Sequence, residues 1–260
     1  MITGGTALVG DDALVSLHTY HGPPRPEARD LIDRARAVDA EMSFLPATPA
    51  PAPIATTIEI STTLHRWSAP SAGRARLAGV ITLLKGSAAM VFDLVVDPPF
   101  RSTGVATAAI ERIVATAHPV FADQSIHAIC YGSHPAALRL AHRFGARPIA
   151  STDHLALHSQ PDYRASHLYH SVPQQISVDF PQLDIVAGVG ALPPDLTRTP
   201  TMVRAALDAL FACGARSIVT AVDADGTSAI SLLRAAAFAH DRTDVLVAFP
   251  ISRSAQGLRP

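Results

Sequence analysis

Apolar positions along the chain switch between helical and strand spacing, and the switches mark the elements. Leu31, Ala35, Val38 and Met42 recur at i, i+4, i+7 and i+11 within residues 27–45, the stripe of an amphipathic helix. Thr57–His65 and Leu77–Leu84 alternate as strands, punctuated by Gly73 and Gly86. Met90–Val96 is an apolar run interrupted by Asp93, the pattern of a buried strand. Pro98-Pro99 ends it, because proline has no amide to give a ladder. Ala108, Ile110, Ile113 and Val114 then predict a helix over Thr107–Ala117. Ser125–Tyr131 reads as a strand, Pro135–Phe144 as a helix with proline in its first turn and Gly145 as its stop, and Ile149–His158 as a strand.

The second half repeats that order. Leu183–Leu192 predicts an apolar strand stopped by Pro193-Pro194, followed by helix Thr201–Cys213, strand Ser217–Val222, helix Thr227–Ala237 and strand Asp244–Phe249. The wording echoes too: DPPFRSTGVATAAIERIVATA faces LPPDLTRTPTMVRAALDALFA, and GSHPAALRLAHRFGA faces DADGTSAISLLRAAAFA. Pro99 to Ala137 spans 38 positions and Pro194 to Ala229 spans 35, so the chain reads as an internal duplication. Residues 159–182 separate the copies. That is too short for the elements that should precede the buried strand of a full second unit. The Pro-Ala tract PATPAPAPIA reads as extended or mobile, a lid or a linker.

Composition narrows the classes. At 260 residues and 48% hydrophobic, the chain fills a large core and is not disordered. A net charge of −1 gives no reason to expect a nucleic acid or an anionic membrane surface as partner. No apolar run approaches the ~20 residues of a membrane span and no leader pattern opens the sequence, so the expectation is a soluble cytoplasmic protein. Cys130 and Cys213 both lie in apolar contexts and read as buried free thiols. One lysine, Lys85, against twenty arginines and the absence of asparagine suggest a GC-rich bacterial genome. His154, His158, His167 and His170 are loosely spaced, without the Cys or carboxylate partners of a zinc site, so no metal is assigned.

The stretch DLVVDPPFRSTGVAT carries the chemistry. It runs from the buried strand through a turn into a helix, so free amides of Arg101, Ser102, Thr103, Gly104, Val105, Ala106 and Thr107 gather at a helix N-terminus that favours anions. Arg101 adds a cation, and Gly104 and Ala106 leave room for a ligand against backbone. An ordinary strand-turn-helix crossover is the alternative reading.

These residues resemble the GNAT acyltransferase superfamily, whose phosphate loop reads Arg/Gln-x-x-Gly-x-Gly/Ala, matched here by Arg101, Gly104 and Ala106. A later family motif is matched in part by Ala137, Leu140 and Gly145, and again by Ala229, Leu232 and Phe238. Within the superfamily, the tandem wording over roughly residues 74–158 and 183–249 is similar to the mycothiol synthase group. Those proteins are tandem acetyltransferases acting on the amine of a cysteinyl pseudo-disaccharide, with the chemistry in the C-terminal copy. The resemblance implies an α/β fold with a mixed sheet: a full GNAT-like module over 1–158, a linker over 159–182, and a degenerate, truncated module over 183–260. It implies acetyl-CoA or another acyl-CoA as cofactor and a small-molecule amine as substrate, without nucleic acid or membrane, in a monomer or homodimer. It places Leu94, Val95 and Val96 along the pantetheine and acetyl group, on a strand whose amides a bulge would free.

The departures decide which copy works. The second loop carries Thr at both glycine positions, Thr199 and Thr201, and Pro200 deletes an amide. Gly226, Leu233 and Ala237 stand where the family has Asn, Tyr and Gly. Ala141 occupies the position of the usual acid tyrosine in the first copy. The candidate base is Asp93, a carboxylate entering an apolar strand, where burial raises its pKa, or else a strand-face Asp paired to an arginine. Asp184 is a weaker second-copy candidate. Tyr131 and His134 could act as acid or relay. The rival to an N-acyltransferase is a non-catalytic module that binds CoA or a partner, or a fold recruited to other biosynthetic chemistry.

Overall fold

The computed structural model describes residues 7–8, 15–39, 54–63, 75–85, 89–115, 125–158, 185–186 and 188–250. The first half contains β1 (Ala7–Leu8), β2 (Ser16–His21), α1 (Pro26–Val38), β3 (Ile54–Thr62), β4 (Arg76–Lys85), β5 (Met90–Val96), α2 (Val105–Ala115), β6 (Ile126–Cys130), α3 (Pro135–Arg143) and β7 (Arg147–Leu157). The second contains β8 (Ile185–Val186), β9 (Val189–Ala191), α4 (Pro200–Ala212), β10 (Ser217–Asp223), α5 (Thr227–Ala235) and β11 (Ala239–Phe249). All eleven strands join one mixed sheet in the order β1-β2-β3-β4-β5-β6-β11-β7-β10-β9-β8. Among the described residues only β5–β6 and β9–β10 pair in parallel, as strand-helix-strand crossovers require.

The chain's last strand does not close its own half. β11 inserts between β6 and β7, pairing antiparallel with both, while β7 pairs with β10 of the second half. Alternation along these strands sorts the faces. Val245 and Val247 oppose Cys130 and Ala128 and join the core beneath α2 and α3. Thr243 opposes Asp153, two residues before Leu155 of the core beneath α4 and α5. All four helices therefore cover one face of the sheet. On the opposite face α1 buries Ala28 and Leu31 against Val80 and Val95. Burying a leucine such as Leu31, which is fully enclosed, contributes about 2 kcal/mol.

The duplication is visible in how helices end. Gly145 after α3 has φ +72° and Ala237 after α5 has φ +67°. Ala146 and Phe238 each donate back to a carbonyl five residues earlier, Ala141 and Leu233. Both are left-handed stops of one design, and the second uses an alanine.

Several elements differ from their sequence-based expectations. Four strands, not two, precede β5: β2 carries His18, Thr19, Tyr20 and His21 and so gives no clean apolar signal. The single strand expected over 183–192 is two, β8 and β9, turned at Gly188 with φ +82°. β11 begins at Ala239, five residues early, because residues 239–244 already pair with β7, through a bulge between His240 and Arg242. β5 has no bulge; its register with β4 is continuous from Met90 to Val96. Cys213 is exposed at the C-cap of α4, whereas Cys130 is buried. The Pro-Ala tract up to 53, the linker 159–182, Asp184, His167 and His170 lie outside the described residues.

Candidate functional site

β5 supplies the opening. Its pairing with β6 runs Met90↔Ile126, Val91↔His127, Phe92↔Ala128 and stops there, while its pairing with β4 continues to Val96. Asp93, Leu94, Val95 and Val96 thus extend past the last β6 partner and leave one backbone edge without a ladder. Leu94 and Val96 turn their side chains to the core under α2, and Val95 packs beneath α1. What the expected bulge was to achieve, the divergence of β5 from β6 achieves.

Beyond Val96 the chain makes a short turn of 3-10 helix, Pro98–Phe100, and then Arg101–Gly104 leads into α2. Thr103 Oγ1 donates to the Phe100 carbonyl at 2.6 Å. Ser102 and Gly104 are both left-handed, at φ +63° and +86°, and a left-handed non-glycine residue is a strained feature of the kind concentrated at functional sites. A Cβ built on Gly104 would meet nothing within 4 Å, so the loop faces open space. Val105, Ala106 and Thr107, in the first turn of α2, have no intrahelical acceptor for their amides. Arg101 is anchored rather than free: Nε donates to the Val96 carbonyl at 3.2 Å, and the guanidinium grips Asp39 in a bidentate pair at 2.8 and 2.7 Å. A second pair, Arg34–Asp97 at 3.0 Å, likewise ties α1 to this end of β5.

The residues suit an acyl-CoA. An open strand edge accepts an extended pantetheine amide chain, and a glycine cradle at a helix N-terminus accepts a pyrophosphate.

The second copy is closed at the corresponding points. Parallel pairing of β9 with β10 runs to its last residue, the Leu192 amide donates to Val219 at 2.8 Å, and Thr220 Oγ1 donates to the Leu192 carbonyl at 2.8 Å. Thr199 caps α4 by accepting from the Met202 amide at 3.3 Å. An open cleft of about 470 Å³ remains between the Pro194–Thr197 turn and the start of α5, with Arg198 and Asp225 on its rim, but no strand edge opens into it.

On the α1 face, beside the divergence, titratable groups gather. Asp93 is half-buried, and burial around its carboxyl pushes its pKa up, with Arg36 of α1 opposing. Tyr131 follows β6. The residue is 41% exposed, yet burial around its hydroxyl pushes the phenol well above its ordinary value, and the charges of Asp93 and Asp244 add to the effect. Such a phenol stays protonated and can donate a hydrogen bond. His134 stands apart: exposed, it caps α3, its Nδ1 accepting from the Ala136 amide at 3.2 Å. The Cys130 thiol is raised by burial and is a core group. Among the described residues no cluster suits a metal ion, and no helix is long and apolar enough to cross a membrane.

Arg36, His154, Arg242 and Asp244 were not legible as site residues. Asp244 sits one pairing step from Cys130, because Val245 is its partner on β11, and only the strand insertion brings it there. His154 Nε2 donates to Asp244 Oδ2 at 2.8 Å and Arg242 Nε to Oδ1 at 3.2 Å. Burial alone would raise Asp244; hydrogen bonds from His154 and the Gly132 amide, with the Arg242 charge, outweigh it and hold the carboxylate below its ordinary range.

Comparison with known proteins agrees with this geometry. Residues 35–146 match the sequence model of the acetyltransferase (GNAT) family. No curated protein sequence matches the chain. Among solved structures, a GCN5-related N-acetyltransferase from Sphaerobacter thermophilus is similar at a TM-score of 0.54 and 16% identity, over 90% of this chain and 96% of that one. A tandem GNAT protein from the clavulanic acid biosynthesis pathway, solved without AcCoA, is similar at 0.55 and 15%, over 91% of this chain and 99% of that one. At these identities the likenesses show the fold alone, a mixed-sheet α/β architecture shared along nearly the whole chain.

Proposed function

We propose, from the match of residues 35–146 to the acetyltransferase (GNAT) family model, an acyl-CoA-dependent N-acyltransferase, acetyl by default, whose working cofactor site is the first copy and whose acceptor is a small-molecule amine. The carrying observation is the asymmetry between the copies: β5 runs four residues past its last β6 partner, whereas β9 is sewn to β10 up to Leu192. When bound, the acyl-CoA supplies an acyl group activated as a thioester. The residues that would hold it are the backbone of Leu94, Val95 and Val96 and the loop from Arg101 to Thr107.

The chain's own groups divide the proton work. Asp93, with its carboxyl raised by burial, accepts the proton of the attacking amine at a carboxylate oxygen. A base poised above the ordinary carboxylate range is better matched to that task near neutral pH. Tyr131, with its phenol kept protonated by burial and two carboxylates, donates at the departing sulfur, a role for which the family's helix position offers only Ala141. Arg36 balances the charge that develops on Asp93.

The mycothiol-synthase likeness of the wording extends this reading to cysteinyl amines, so such an amine belongs in the test. Thiol release from acetyl-CoA is measured over a panel of small amines for wild type, Asp93→Asn and Tyr131→Phe. Release with at least one amine, lowered about 10²-fold or more in Asp93→Asn, supports the proposal. Release undiminished in both variants removes these two residues from the chemistry, and no release with any amine removes the activity.

A further inference from the structure

The turn carrying Tyr131 is built in a conformation it does not favour. Gly132 has φ +60°, and Ser133, a residue with a Cβ, has φ +50°. Gly132 adopts its φ freely, but the left-handed Ser133 is costly, and such a residue persists only where surrounding contacts fix it. Here both fixing contacts come from β11, the last strand of the second copy. The Gly132 amide donates to Asp244 Oδ1 at 2.7 Å, and Ser133 Oγ donates to the Thr243 carbonyl at 2.8 Å. Asp244 is itself held from behind by His154 of β7 and by Arg242. Thr243 is held by its hydroxyl, which donates to Asp153 Oδ1 at 2.6 Å. The carboxylate is 8% exposed, so its bond to Gly132 faces little competition from water.

We infer that Asp244 is a positioning residue: through Gly132 it locks the strained Tyr131–Ser133 turn and so aims the Tyr131 phenol, which makes a strand of the second copy a working part of the first copy's site. The inference rests on the reading of Tyr131 as the proton donor. Its geometric part, the lock itself, stands apart from that reading. No charge on Asp244 need reach the substrate for this role; an acceptor oxygen at the Gly132 amide suffices.

The test uses the full chain. Asp244→Ala removes the acceptor, Asp244→Asn keeps an oxygen there, and Ser133→Ala removes the second bond without touching a charge. Expected for Asp244→Ala is a fall in kcat for thiol release of about ten- to hundredfold, as for loss of a positioned acid, with KM for acetyl-CoA within about twofold. Asp244→Asn should retain most of kcat. In a Tyr131→Phe background, Asp244→Ala should cost less than about twofold more, since residues acting as one unit are not additive. Amide hydrogen exchange should lose protection at residues 131–134 in Asp244→Ala and keep it at 108–113 within α2. Costs that add fully to those of Tyr131→Phe, a shift confined to KM, or a loss in Asp244→Asn equal to that in Asp244→Ala would overturn the inference. If wild type releases no thiol with any amine, the functional reading fails, and unchanged protection at 131–134 in Asp244→Ala would then defeat the lock on its own. Should Asp244→Ala not fold, Ser133→Ala carries the same kinetic and exchange comparison.

Discussion

Gly104 offers a perturbation in which loss of stability and loss of binding separate. Its φ is +86°, so any L-residue placed there bears the left-handed cost of about 1–2 kcal/mol. The Cβ itself meets no atom within 4 Å, so Gly104→Ala and Gly104→Trp share that backbone cost and add no clash with the protein. At about 2–4 °C per kcal/mol for a chain of this size, both variants should melt about 2–8 °C below wild type. They diverge toward the ligand. The open space that receives the side chain is the space a pyrophosphate would occupy, and an indole fills it where a methyl group does not. Isothermal calorimetry with CoA should therefore show Gly104→Ala within about tenfold of wild type and Gly104→Trp weaker by at least about 100-fold, or about 2.7 kcal/mol. CoA bound equally well by Gly104→Trp and wild type would show that the cradle lies elsewhere. A Trp variant melting far below the Ala variant would show that the loop packs against protein the geometry does not place there.

Other consequences follow from single interactions. Because burial raises the Asp93 pKa, wild-type kcat/KM should rise with pH along a limb above the ordinary carboxylate value of about 4, and Asp93→Asn should lose that limb. By the same shift the folded state keeps a proton that the unfolded chain has released, so stability falls as pH rises across that interval. Asp93→Asn should accordingly melt higher than wild type at pH 7, and a lower melting temperature would contradict the burial argument. Thr220→Val leaves the Leu192 carbonyl without its hydroxyl donor, at about 1–3 kcal/mol. It should lower the melting temperature without altering CoA affinity; lost affinity would move the cofactor to the second copy. Ala237→Gly relieves a left-handed alanine, worth about 1 kcal/mol, and should raise the melting temperature by about 2–4 °C with unchanged thiol release.

What the sequence exposed and what it hid divide along contact range. The β5 strand, its Pro98-Pro99 stop and the Gly104 loop are local: apolar run, missing amide and glycine lie within fifteen residues. They appear where expected. The same locality made the repeat legible, since each stop, loop and helix recurs in order. β2 escaped because His18, Thr19, Tyr20 and His21 follow one another along it, so no apolar alternation marks a strand that its pairing with β3 defines. Arg101 read as a free cation because Asp39 lies 62 positions away. Asp244 gave no signal at all: 112 positions separate it from Gly132, and an acidic residue within a strand is ordinary until insertion of β11 sets it beside the other copy.

That insertion also explains how a second copy can lose its cradle and still be indispensable. The core under α2 and α3 contains Val247 and packs against Val245 and Phe249, and Phe249 meets Phe92 of β5 edge to face at 6.1 Å between ring centres. The core under α4 and α5 contains Leu155 and Leu157 of β7, a strand that precedes the junction. Each half therefore completes its hydrophobic core with a strand of the other. Removing β11 would leave β6 and β7 with open edges facing each other, strip apolar side chains from the first core, and take Asp244 from the Gly132 amide. The loop before α4 carries none of those duties: its threonines cap and brace their own turn. Threonine and proline sit in that loop at little cost to folding, whereas β11 is held by strands on both sides and by the turn of Tyr131.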